Sequence, residues 1–170
     1  MGHAVQLLGF YKPELVTECY ETALSLMDQL QISRGKAEPL MGLCLYWGGE
    51  PDGLQKAMTY GQLALNETEK VQDIWLSSLI KLAMAKASIF HQAWEKGNVL
   101  IAEALQLSRD CNDRYGEMVA LFWTTYISYK NETESFQEDC RLFLLHLENN
   151  EVHFFLFKKT LFGPEDTQQF

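Results

Sequence analysis

A period of forty residues limits what this chain can fold into more than any other feature. Ser33, Asp73 and Asp113 stand forty residues apart, and Trp75 and Tyr115 follow the last two at a common offset. Each of the three carries a side-chain oxygen that can accept from the free N–H groups of a first helical turn, so each marks a helix start. Twenty-four residues into the blocks lie Ala57, Gly97 and Gln137; thirty-one residues in lie Ala64-Leu65, Ala104-Leu105 and Leu144-Leu145. Ala23-Leu24, forty-one residues before the first of these pairs, adds a partial unit at the N-terminus. Self-similarity at such a period is the mark of repeat architectures, in which no unit buries its apolar side alone. The blocks are 33–72, 73–112 and 113–152, with a partial repeat over 1–32 and a capping tail over 153–170.

Each block divides into two helices. Trp75, Leu79, Leu82, Ala83 and Lys86 fall at helical spacing, and Tyr115, Val119, Phe122, Trp123 and Tyr126 repeat the stripe. Apolar residues at i, i+4, i+7 and i+8 line one face of a helix. The second helices are expected over 52–68, 94–111 and 135–149. Ser135 and Glu138 form a capping-box pattern, Pro13 and Pro51 stand where helices can begin, and Gly48-Gly49, Gly97 and Asn131 read as turn or border positions. The small residues at the twenty-fourth and thirty-first positions let antiparallel partners approach closely. The expected fold is all-α: a stack of antiparallel helix pairs.

The totals agree with a single domain and narrow its partners. At 170 residues with 47% apolar content, the chain can bury a sizeable core. No uncharged apolar run is long enough to span a membrane. The first residues lack the basic and apolar regions of a signal peptide, and the chain is expected to be a piece of something longer. Acids outnumber bases 23 to 14, a formal charge of −9 that would repel a nucleic-acid backbone. Cys19, Cys44, Cys111 and Cys140 form no CxxC and read as small apolar fillers in a reducing, cytoplasmic setting.

The pattern resembles the tetratricopeptide repeat in a lengthened form. Ala57 with Ala64-Leu65 carries that signature in one block, Gly97, Ile101 and Ala104-Leu105 in the next, and Tyr20 with Ala23-Leu24 near the start. Gln137 and Leu144-Leu145 depart from it, so the third block reads as an end cap. Ile101-Ala102-Glu103-Ala104-Leu105 ahead of Cys111-Asn112-Asp113-Arg114, and the tail from Phe154 to Asp166, are similar to the C-terminal repeat regions of bacterial transcriptional regulators of the LuxR, SARP and maltose-regulator types. The resemblance implies a right-handed superhelix (a tetratricopeptide-like α-solenoid) that works as a sensor or interaction region, with DNA- and nucleotide-binding modules elsewhere in a parent protein.

In such arrays the first helices of successive repeats line a concave surface suited to a peptide or a protein partner. Tyr46, Lys86 and Tyr126 share one repeat offset, Phe90 and Lys130 share another, and Tyr129 lies one turn beyond Tyr126. These six are the expected groove residues, since aromatic and cationic side chains anchor partners by packing and hydrogen bonds. Their ordinary alternative is a tyrosine packed between neighbours with its hydroxyl in water. Trp47 and Trp123 are expected to fill gaps between helices. The apolar tail from Val152 to Phe162 either seals the last repeat or meets another subunit.

Signatures of chemistry are missing. There is no GxxxxGK[ST], no GxGxxG after a strand and no HExxH. His3, His91, His146 and His153 lack zinc-ligand spacing. Glu132, Glu134, Glu138 and Asp139 cluster at a helix start, where carboxylates suit the helix dipole. The expected function is protein–protein interaction in a regulatory protein, with no cofactor and no metal. A self-associating homodimeric scaffold is the first alternative, and a small helical enzyme with a nonlocal site the second.

Overall fold

The computed structural model describes residues 13–32 and 35–149. Ser33, His3, His153 and the tail 153–170 lie outside the described residues. Seven helices follow one another: α1 (Pro13–Gln29), α2 (Ala37–Gly49), α3 (Leu54–Val71), α4 (Ile74–Phe90), α5 (Trp94–Asp110), α6 (Arg114–Lys130) and α7 (Phe136–Asn149). The described residues contain no strand, so the chain is all-α over them.

Five of these helices end in the same way. Gln31, Gln72, Gln92, Asn112 and Glu132 adopt left-handed backbone, with φ between 50° and 58°. The next N–H in each case bonds a carbonyl five residues back: Ile32 to Met27 (2.8 Å), Asp73 to Thr68 (3.1 Å), Ala93 to Ser88 (2.8 Å), Asp113 to Ser108 (2.8 Å) and Thr133 to Ser128 (3.0 Å). This is the Schellman closure, which satisfies the last carbonyls of a helix while reversing the chain. From Thr68 onward the carbonyl-bearing residue is a buried hydroxyl residue, recurring every twenty residues at 68, 88, 108 and 128. A small side chain there leaves room for the next helix to start against the end of the last. The forty-residue period therefore contains a twenty-residue one, helix by helix.

The backbone repeats accordingly. Ile74 and Arg114 open α4 and α6 forty residues apart, Phe90 and Lys130 close them at the same interval, and Leu54 and Trp94 open α3 and α5. The third block is stretched. Five residues (131–135) join α6 to α7, where three join α4 to α5 and α5 to α6. The sequence match of Leu144-Leu145 to Ala64-Leu65 and Ala104-Leu105 is consequently not realised. Ala64 and Ala104 are fully buried, whereas Leu144 is 55% exposed, and Phe143 and Leu147 form the inward stripe of α7.

Consecutive helices are antiparallel. The start of α4 meets the end of α5 through Ser78 and Ser108, whose hydroxyl oxygens lie 2.6 Å apart, and Ser78 also donates to the Ala104 carbonyl (3.1 Å). The other end of the pair closes at Gly97, where an added Cβ would stand 3.1 Å from Ile89 Cγ1. Gly97 is thus a close-approach residue inside α5 rather than a turn. Beyond its own partner α5, α4 packs against α3 and against both neighbouring first helices, α2 and α6. Gly48 permits the α2 contact: a Cβ there would fall 2.7 Å from Ala87 Cβ. Ten of the residues of α4 are buried, so this helix is the core of the molecule.

Two expected caps differ. Asp73 caps α4, accepting from the Leu76 N–H at 2.9 Å, but Asp113 accepts no such bond, and its Oδ2 is buried without a partner. The Ser135–Glu138 capping box does not form either. Ser135 donates to Asp139 (3.0 Å), and Glu138 is held by Arg141, which donates from Nε at 2.8 Å and from a terminal nitrogen at 2.6 Å. A bidentate guanidinium is the stronger partner for that carboxylate.

Candidate partner-binding face

Tyr46 and Trp47 on α2, Lys86 and Phe90 on α4, and Tyr126, Tyr129 and Lys130 on α6 all stand toward the C-terminal ends of the first helices. Lys86 and Phe90 are i, i+4 neighbours on α4, and the Lys86 ammonium lies 5.3 Å from the Phe90 ring centre. Phe90 meets the Trp123 indole of α6 edge to face at 6.1 Å, and Trp123 meets Tyr126 at 5.6 Å. Lys130 places its ammonium 5.7 Å from the Tyr126 ring and 5.8 Å from that of Tyr129. Tyr129 in turn contacts Phe136 of α7 at 5.5 Å. Five of the six expected residues (Lys86, Phe90, Tyr126, Tyr129 and Lys130) thus join into one ridge.

Tyr46 stands one helix earlier. Its ring meets Trp47 edge to face at 5.2 Å, and Lys56 of α3 covers the Trp47 indole at 3.6 Å. The pairing of Lys56 with Trp47 had no sequence signal, because the two residues sit on different helices across a loop. Trp123 fills the gap expected of it, at 6% exposure, and is also the ring that links α4 to α6. The sequence trace of the ridge was the forty-residue offset that aligns Lys86 with Tyr126 and Phe90 with Lys130, together with the one-turn spacings along α4 and α6.

Phe90 and Tyr129 are the open parts of the ridge, 54% and 58% exposed. Lys86 is half-buried, and burial holds its ammonium below the usual lysine range. Among the described residues, neither Lys86 nor Lys130 has a carboxylate within ion-pair distance, whereas Lys81 pairs with Glu103 at 2.6 Å and Arg109 with Glu117 at 2.9 Å. At the α6–α7 end the ridge runs into an open hollow of about 630 Å³, bordered by Tyr129, Lys130, Glu132, Glu134 and Phe136.

Other candidate chemistry groups do not converge. Among the described residues, no three His, Cys, Asp or Glu side chains gather where they could hold a metal ion. His146 docks α7 on α6: its Nε2 lies 3.1 Å from the Arg114 carbonyl, and its Nδ1 is 3.9 Å from Glu117. The buried Cys44 thiol is pushed up to about 12 by desolvation, the opposite of what a thiolate nucleophile needs. No described helix is long and apolar enough to cross a membrane. Comparison with protein-family models, with curated proteins and with solved structures finds no match to this chain.

Proposed function

We propose that this chain is a protein-interaction domain built as a tetratricopeptide-like α-solenoid, with three repeats over 33–152, and that it holds a peptide or protein partner on the face of its first helices. One observation carries the reading: rings and ammonium groups from α4 and α6 meet in a continuous ridge that ends in open side chains. The solenoid reading is supported by first helices that pack on one another while α3 and α5 each pack on the following first helix. Such an arrangement draws the first helices together on the inner side of a curve and spreads the second helices on the outer side. The right-handed sense follows the tetratricopeptide resemblance. A place in the regulatory part of a bacterial transcription factor is supported by the Ile101–Leu105 and Cys111–Arg114 motifs alone, and in that setting nucleic acid would be held by another module.

Selection of random peptides of about twelve residues on the immobilised chain tests the reading. Enriched peptides should lose binding to a Phe90→Ala/Tyr129→Ala chain, whose two truncated rings are the open ones of the ridge, and a melting curve on the variant checks that it remains folded. Peptides that bind both chains equally would remove the ridge from the site. Self-association is the second reading, favoured by Leu142, Leu144 and Leu145, which lie 40%, 55% and 43% exposed on α7. Light scattering separates the two: a dimer dispersed by a charge at Leu144 would support self-association.

A further inference from the structure

Charge is divided unevenly between the helices. The first helices α2, α4 and α6 hold Lys81, Lys86, Arg114 and Lys130 against Glu38 and Glu117, and α4 contains no acid at all. The other helices sum the opposite way: α1 carries Glu14, Glu18, Glu21 and Asp28 with no base, α5 and α7 each hold more acids than bases, and α3 is balanced, with Lys56 and Lys70 against Glu67 and Glu69. A chain of net charge −9 thus carries a small cationic excess on the helices that bear the aromatic ridge, while Lys56, Lys70, Lys96, Arg109 and Arg141 lie on the others among more acids. Helix dipoles account for part of this, since Lys130 ends α6 and a cation suits a helix C-terminus. They do not account for Lys86, a full turn before the end of α4 and partly withdrawn from water with no carboxylate facing it among the described residues. Desolvating an ammonium without a counter-ion is unfavourable unless an anion arrives to share the site.

We infer that the partner is an acidic segment with apolar anchors, whose carboxylates seat on Lys86 and Lys130 while an aromatic or large aliphatic side chain packs on Phe90 and Tyr129. This inference rests on the ridge being the binding face. Glu132 and Glu134 border Lys130 in the hollow and bound the cationic stretch at that end, which sets the direction in which an acidic segment can lie. The net negative charge of the remaining helices disfavours the same segment elsewhere and so biases the contact toward this face. Salt weakens both effects together, which makes substitution of the lysines a cleaner readout than ionic strength.

The test is the charge of peptides selected on the full chain, read with Lys86→Gln and Lys130→Gln variants. Acidic peptides carrying an aromatic residue should dominate, and each lysine variant should weaken them about tenfold or more, as expected for loss of a close charge pair at an interface. Peptides that are neutral or basic, or acidic peptides indifferent to both lysine variants, would overturn the inference. If such peptides still depend on Phe90 and Tyr129, the ridge stands and only the partner's acidity falls. Peptides indifferent to all four positions, or no enrichment at all, remove both.

Discussion

Replacing Gln72 and Gln92 by glycine is expected to stabilise the protein. Both residues hold φ near 54° and 58° in helix-ending turns, both side chains are exposed, and neither closes a hydrogen bond that glycine would remove. Left-handed backbone costs a residue with a Cβ roughly 1–2 kcal/mol. Glycine avoids that cost but brings about 0.5–1 kcal/mol of additional chain entropy in the unfolded state. The difference is a gain of about 0.5–1 kcal/mol per site. The two turns lie at opposite ends of α4, so their effects should add to about 1–2 kcal/mol. For a domain of this size that is a rise in Tm of roughly 2–8 °C, followed by circular dichroism on heating. Gln72→Ala, which keeps the left-handed requirement, should change stability by less than about 0.5 kcal/mol. Glycine variants no more stable than the alanine control would refute the claim that these turns are held against the preference of their residues. Asn112 should gain least, because asparagine tolerates this backbone better than glutamine does.

The contact between first helices and the desolvated lysine make separate predictions. Gly48→Val should destabilise the chain by about 1–3 kcal/mol, because its new methyl groups must displace Ala87. Combined with Ala87→Gly in urea denaturation, it should cost less than the sum of the two single changes. Additivity within about 0.5 kcal/mol would place the two helices farther apart than described. Lys86→Met should be neutral or stabilising by up to about 1 kcal/mol near neutral pH, because an apolar stem replaces a partly buried ammonium that has no carboxylate within ion-pair distance among the described residues. The folded state lowers the Lys86 pKa from 10.5, so the penalty of the charged form is complete below the folded value. It fades as pH rises through the folded value toward 10.5. The advantage of Lys86→Met measured by denaturation should shrink over that window, and an advantage that stays constant with pH would show that burial of charge is not its cause.

Much of this architecture was legible in the sequence. The forty-residue spacing and the i, i+4, i+7 apolar stripes located α4, α5 and α6 to within a few residues, because helical periodicity and buried small residues are local properties of a chain. The repeat offset likewise grouped Lys86 with Tyr126 and Phe90 with Lys130, residues that the structure joins through Trp123. It also aligned Leu144-Leu145 with Ala64-Leu65 and Ala104-Leu105, an equivalence that two more residues in the connection before α7 undo. The twenty-residue recurrence of buried hydroxyl residues was in the letters as well, but gained meaning only from the shared turn beside each one.

Tertiary structure alone decided the rest. Asp73 and Asp113 are the same residue type at the same offset, yet one accepts a capping bond and the other buries an unpartnered oxygen beside Gly116 and Ser108. Phe90 reaches Trp123, and Lys56 covers Trp47, across helices whose distance no spacing rule supplies. Sequence by itself determined which side of each helix is apolar, since that depends on neighbours a turn apart. Which rings touch, and which lysines face a carboxylate among the described residues, depends on how separate helices settle against one another, and that is fixed by the small residues at their crossings.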